Sequence, residues 1–192
     1  MILLGASYLG LGEEEFAYEF FNKAFEMGRA RAFQGFDKKY LNFLTAYKEK
    51  MMDFPDQLYD EVLALSEQGN LLMDKEEYPG AVDVYRSALV RLPEPIEQWD
   101  AFVWLKASIG DALFFMHDYK MAADEFFDAM NGPDGAQNSF VIFRLGQCLF
   151  EQKALGALDY LCKAYFLEGD EIFRHDDEKY LSAVKVVLGG VR

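Results

Sequence analysis

The sequence predicts an all-α protein made of antiparallel helix pairs, and three observations predict it. The first is a small–large–small pattern at helical spacing that occurs four times: Ala17, Phe21, Ala24; Ala81, Tyr85, Ala88; Ala122, Phe126, Ala129; and Ala157, Leu161, Ala164. The second is a glycine upstream of each copy (Gly5, Gly69, Gly110, Gly146), followed three residues later by bulky Tyr8, Leu72, Leu113 or Leu149. The third is the spacing: twelve residues separate the Gly from the first Ala in three copies and eleven in the fourth. Small residues let a neighbouring helix approach closely, and a ring fills the gap that remains. Each copy therefore reads as one tight helical hairpin.

Taken in order, repeat one covers about residues 1–28. A further helix follows at about 36–50, with Tyr40, Leu41, Phe43, Leu44 and Tyr47 on its apolar side, and Pro55 marks a break after it. Repeat two spans about 57–92 and stops at Pro93, which cannot continue a helix. Repeats three and four span about 99–131 and 138–168, and a last helix at about 176–188 is stopped by Gly189 and Gly190. A longer echo links the two ends. Lys23, Ala24, Phe33, Asp37, Lys39, Tyr40 and Leu41 fall on Lys163, Ala164, Phe173, Asp177, Lys179, Tyr180 and Leu181 at a constant offset of 140. A hairpin plus a trailing helix thus occurs twice. The expected organisation is an N-terminal unit at 1–50 and a three-repeat array at 51–192 within one continuous domain. The last helix closes the array, because a stacked repeat leaves an apolar face to cover.

These residues resemble the tetratricopeptide (TPR) repeat, with a small residue in its first helix and Ala, ring, Ala in its second. The resemblance implies a right-handed superhelix, an α-solenoid, with the first helices lining the concave side. Two departures stand out. Met1, Leu65, Lys106 and Ile142 occupy the place of the early Trp, and Gly69 to Gly110 is 41 residues and Gly110 to Gly146 is 36, against about 34 in the family. The surplus falls in the connections "PEPIEQWDA" and "NGPDGAQNS".

Charge separates the two parts of the chain. The net charge is −14. Residues 1–50 hold seven acidic and seven basic side chains, whereas residues 51–192 hold 26 and 12 and so carry the whole excess. Such a surface repels nucleic acid, which needs clustered Lys and Arg, and anionic lipid likewise. It speeds encounter with a basic protein. The apolar runs are shorter than the roughly 20 residues of a membrane span. The start "MILLGASYLGLGEEE" lacks a basic leader, so no signal peptide is expected. Cys148 and Cys162 read as free thiols of a cytoplasmic protein, and two Cys with two His give no metal site.

No enzyme constellation is present: there is neither a Gly-rich phosphate loop nor a nucleophile elbow. His117 and His175 read as surface residues. The acids of "GEEE", "DKEE" and "HDDE" sit at helix starts, where they favour the helix dipole. Neither catalysis nor a cofactor is expected.

What the resemblance implies for function is a protein partner held on the first helices. The inward positions are Ser66, Asn70, Met73 and Asp74 in repeat two and Trp104, Ala107, Asp111, Phe114 and Phe115 in repeat three. In repeat four they are Phe140, Phe143, Gln147, Phe150 and Glu151. Aromatic anchors beside amides and acids are common binding-surface chemistry. Asp74, Asp111 and Glu151 are expected to form an acidic stripe that no helix needs for packing. Chaperone-tail adaptors of the family grip a terminal carboxylate with Lys and Arg. Here Asn70 matches that clamp, but Ser66 and Trp104 stand where basic residues are needed, so an acidic tail is disfavoured. Residues 138–181, with 99–114 and 131–140, also resemble bacterial TPR proteins encoded beside polymorphic toxins. That resemblance implies an immunity protein that covers a basic cognate toxin. The alternatives are a general scaffold or chaperone-like adaptor, or a peptide-sensing regulator.

Overall fold

The computed structural model describes residues 1–51 and 56–189. Among them are ten α-helices and no strand, so the fold is all-α. The chain divides into two compact units, Met1–Pro55 and Asp56–Arg192. The breaks expected at Pro55 and Gly190 lie outside the described residues, and Gly189 closes the last helix from within it.

The first unit holds α1 (Ile2–Gly10), α2 (Glu14–Gly28), a short 3-10 turn (Arg29–Phe33) and α3 (Lys38–Met51). The second holds three hairpins: α4 (Asp56–Asp74) with α5 (Tyr78–Leu89), α6 (Asp100–Phe115) with α7 (Tyr119–Ala129), and α8 (Ser139–Glu151) with α9 (Ala157–Glu168). A 3-10 turn (Gly169–Phe173) and α10 (Glu178–Gly189) end it. Within the second unit each helix packs on the next in chain order, as layers of a solenoid do.

The repeated glycines explain why these segments pair. A Cβ on Gly5 would lie 2.6 Å from the Phe21 ring, and one on Gly110 would lie 2.9 Å from Phe126. One on Gly69 would strike Tyr85, and one on Gly146 would stand 3.0 Å from Leu161. In every hairpin the large residue of the second helix is seated on the glycine of the first. The Ala residues on either side of Phe21, Tyr85, Phe126 and Leu161 are buried, so the helices meet almost backbone to backbone.

The bulky residue after each glycine closes the turn with its backbone. The carbonyls of Tyr8, Leu72, Leu113 and Leu149 accept from the N–H of Glu13, Glu77, Asp118 and Ala154. The residue just before each donor lies at positive φ: Gly12, Glu76, His117 and Lys153. His117 is therefore a turn residue, and its Nδ1 is 2.7 Å from the Tyr119 hydroxyl. Lys106 bridges the third hairpin with its Nζ 2.7 Å from Glu125 and 2.8 Å from Asp128. The long connections hold 3-10 turns at Ile96–Gln98 and Gly135–Gln137, and the Trp99 indole donates to the Pro93 carbonyl at 2.7 Å.

The echo at offset 140 is structural. The two 3-10 turns occupy equivalent positions, each beginning with the residue that ends the preceding helix at positive φ, Arg29 at φ 53 and Gly169 at φ 68. Phe33 with Ala24 and Leu44, and Phe173 with Ala164 and Val184, hold matching places in two separate cores. Asp37 and Asp177 each accept the backbone N–H two residues on, at 3.0 Å in both.

Candidate partner-binding site

The first helices α4 and α6 of the second unit enclose a cleft of about 230 Å³ lined by Asn70, Met73, Asp74, Tyr85, Ser108 and Asp111. Three sequence-selected residues, Asn70, Asp74 and Asp111, converge there. The Tyr85 hydroxyl, rising from its seat on Gly69, donates to Asn70 Oδ1 at 2.7 Å. That bond orients the amide on the cleft wall. Burial lifts the Tyr85 phenol above its ordinary value, so it stays a neutral donor. Asp74, at the end of α4, is exposed at the rim. Ser66 is buried one turn deeper, its hydroxyl given to the Val62 carbonyl at 2.8 Å.

Asp111 forms the far wall and belongs to a larger polar cluster. Arg144 Nε lies 2.7 Å from Asp111 Oδ1, an ion contact in which neither atom has a well-aligned hydrogen bond. Arg144 Nη1 donates to Asp176 Oδ1 and to Gln147 Oε1, each at 2.9 Å, and Gln147 Nε2 donates to the same Asp176 oxygen at 2.9 Å. The guanidinium also lies over three rings: Phe114 at 4.7 Å, Phe115 at 5.4 Å and Phe140 at 5.6 Å. One cation shared by two carboxylates leaves one net negative charge. Burial raises the Asp111 carboxyl above its usual range; Arg144 opposes the rise and Asp176 adds to it.

The other selected residues divide into three groups. Trp104, Phe114 and Phe115 lie on α6. Trp104 and Phe114 are half-buried, and Phe115 is exposed with its ring stacked on Tyr78 at 5.4 Å. Phe143 and Gln147 are buried in α8, Phe143 against Phe173 at 4.8 Å, so neither presents a surface. Phe150 and Glu151 belong to a separate cluster at the C-terminal helix. Glu151 accepts from the Tyr180 hydroxyl at 2.5 Å and from Lys179 Nζ at 2.7 Å, while Phe150 packs edge-on to the Tyr180 ring at 5.5 Å. Burial alone would raise the Glu151 carboxyl, but these two donors win and hold it below the usual range.

The expected stripe of packing-free acids is therefore corrected. Asp111 ties α6 to α8 through Arg144, Glu151 ties α8 to α10, and of the three only Asp74 is without such a tie among the described residues. Two members of the cluster were not selected from the sequence. Arg144 is the one basic residue in the apolar stretch "NSFVIFRLGQCLFE", which is a signal. Asp176 lies in "HDDE", where its neighbour Asp177 caps the helix and Asp176 takes Arg144 instead.

Both cysteines are free; Cys148 is buried, and burial pushes its thiol up to about 12. No helix among the described residues is long and apolar enough to cross a membrane, and no group of three His, Cys, Asp or Glu among them is arranged to hold a metal ion.

No protein-family model matches the chain, and no curated protein matches it. Solved structures do match. One is "TPR2AB-domain:pHSP90-complex of yeast Sti1", at 17% identity and a TM-score of 0.47 over 97% of this chain. The chain spans 66% of that structure's length.

Proposed function

We propose that this chain is a non-enzymatic protein-binding repeat protein, and that the cleft between α4 and α6 receives a basic segment of a protein partner. The observation that carries the reading is the buried charge imbalance behind that cleft. Arg144 serves Asp111 and Asp176 together, so a further cation arriving at Asp74 and Asp111 finds unneutralised charge. Asn70, Trp104, Phe114 and Phe115 supply the polar and aromatic flanks. Gln147 steadies Arg144 behind the site, Phe143 anchors α8 in the core of the last hairpin, and Phe150 and Glu151 form a second contact region toward α10. The acidic surface of residues 51–192 steers the encounter.

The test uses a labelled decalysine peptide, with decaglutamate as control. Decalysine is expected to bind with an association rate that falls steeply as salt rises. Asp74→Asn, at an exposed position, should weaken binding at least fivefold with unchanged circular dichroism. Equal affinity of parent and variant would remove the cleft from the interface.

The narrower form of the proposal is a bacterial immunity protein that neutralises a cognate toxin in the cytoplasm; its motive is the acidic surface of residues 51–192, which suits a basic toxin. Co-expression with the product of the adjoining gene is expected to restore growth that this product alone arrests. A general scaffold would leave the arrest in place.

A further inference from the structure

The first unit leaves one side of α1 open. Leu3, Leu4, Ser7, Gly10 and Leu11 fall on one face at helical spacing. Leu3 is 70%, Leu4 51% and Leu11 76% exposed, while Ile2 and Gly5 on the opposite face are buried. The stripe presents no free hydroxyl, because Ser7 Oγ donates to the Leu3 carbonyl at 3.0 Å. The space above Gly10 is empty to at least 4 Å.

The last hairpin shows what this face does when it is used. Hairpin positions in α8 follow those in α1 at an offset of 141, so Leu4 corresponds to Leu145 and Ser7 to Cys148. Leu145 and Cys148 are both fully buried. That side of α8 is covered by the hairpin before it: Arg144 reaches Asp111, Gln152 donates to the Tyr119 carbonyl, and Phe140 meets Phe126. The same backbone face is a helix-packing surface in one copy of the module and bare in the other.

Charge identifies the occupant. The first unit is neutral over residues 1–50 but polar end to end. Glu13, Glu14 and Glu15 begin α2 beside the end of α1, where Tyr8 meets Phe16. Arg29 and Arg31 follow α2 beside the start of α1, where Met27 and Gly28 share a pocket with Met1 and Leu3. Two copies set antiparallel on α1 bring the acidic end of each against the basic end of the other. With the two-fold axis near Ser7, Leu4 of one stripe lies over Gly10 of the other and Leu3 lies against Leu11. The second unit, which carries the whole −14 excess, would repel its own copy.

We propose that the open face of α1 is a docking surface for a second copy of this chain, with the two α1 helices antiparallel about a two-fold axis. Such a surface is self-complementary and closes on itself, so it yields dimers and not fibres.

Sedimentation velocity over a hundredfold concentration range tests the proposal. Twice the 22.0 kDa chain mass is expected at the upper end in low salt. Leu4→Glu, at a position exposed in the single chain, should raise the dimer dissociation constant at least tenfold with unchanged circular dichroism. Two charge variants, Glu13→Lys with Glu15→Lys and Arg29→Glu with Arg31→Glu, should each dimerise poorly alone. Mixed one to one, they should recover the parent's affinity, because both charge clusters are then complementary. A chain that stays monomeric at every concentration overturns the proposal, and so does a dimer untouched by Leu4→Glu. A mixture that fails to recover while each variant alone is weak overturns the antiparallel arrangement.

Discussion

The first module (α1, α2, α3) and the last (α8, α9, α10) are two versions of one design, and they differ in what surrounds the first helix. In both, the second helix seats a large residue on a glycine, a 3-10 turn inserts a phenylalanine, and a trailing helix starts under an aspartate cap. In the last module Arg144, Gln147 and Glu151 fill the first helix with charge and hydrogen bonds. In the first module the same positions are Leu3, Ala6 and Gly10. The backbone recipe is thus independent of the polar network, of which only the Arg144–Asp111 contact reaches a preceding hairpin; Gln147 and Glu151 bond to the trailing segment, which both modules have.

The strongest way to break that comparison is at Arg144. Arg144→Met leaves Asp111 and Asp176 half-buried together without their cation, and removing one partner of a buried pair costs about 3–5 kcal/mol. Leu3→Met, the corresponding change in the first module, should stay within about 0.5 kcal/mol as an exposed substitution. Urea unfolding of the two variants reads the difference directly, and equal losses would mean that the network does not hold the last module.

Adding a methyl at the packing glycines should instead unite the two modules. Gly5→Ala and Gly146→Ala each force a Cβ against the seated side chain, and overpacking of this kind costs about 1–3 kcal/mol. Thermal melts should show both destabilised; a neutral Gly5→Ala would remove the shared recipe from the first module.

Acid separates the modules again. The Glu151 carboxyl is held below its usual range by Lys179 and Tyr180, with burial opposing. Its contribution is therefore present above the unfolded value of about 4.3 and is lost as pH falls through the lower folded value. Hydrogen exchange of α10 amides should quicken as pH drops through that window, beyond the intrinsic pH dependence. With Gly10 in place of Glu151, α3 lacks this response, and the Glu151→Gln variant should abolish it in α10.

The smallest effect concerns the hairpin turns. Gly12 and Lys153 occupy the same turn position at φ 79 and φ 54. A non-glycine residue in that left-handed region costs roughly 1 kcal/mol, so Lys153→Gly should raise the melting temperature by that equivalent while Gly12→Ala lowers it. A null result at both would show that the turn is not strained.

Much of this fold was legible because its rule is local. Glycine, a bulky residue three on, and Ala, ring, Ala twelve on state the volume of a hairpin in one stretch of chain, and the echo at offset 140 announced the trailing helices. The site was less legible because its contacts are not local. Asp111 looked like a groove acid because nothing near it in sequence pairs with it; its cation is Arg144, two helices later. Phe143 looked like a groove ring, yet Phe173 covers it, and only the echo of Phe173 with the buried Phe33 hinted at that. Asn70 and Asp74 lie in the last turns of α4 and line the cleft with Tyr85 and Asp111.

Both tryptophans of the chain, Trp99 and Trp104, sit at the start of the third repeat, one buried with its indole bonded to a carbonyl and the other half-buried. Their emission is consequently an optical probe confined to the second unit. The first unit, rich in phenylalanine and tyrosine, is nearly silent at wavelengths that excite indole alone. Far-ultraviolet dichroism weighs every helix by its length. Denaturation curves recorded by the two methods on one sample will superimpose if both units melt as one cooperative body. They will separate if the first unit opens on its own, without any label having been added to the molecule.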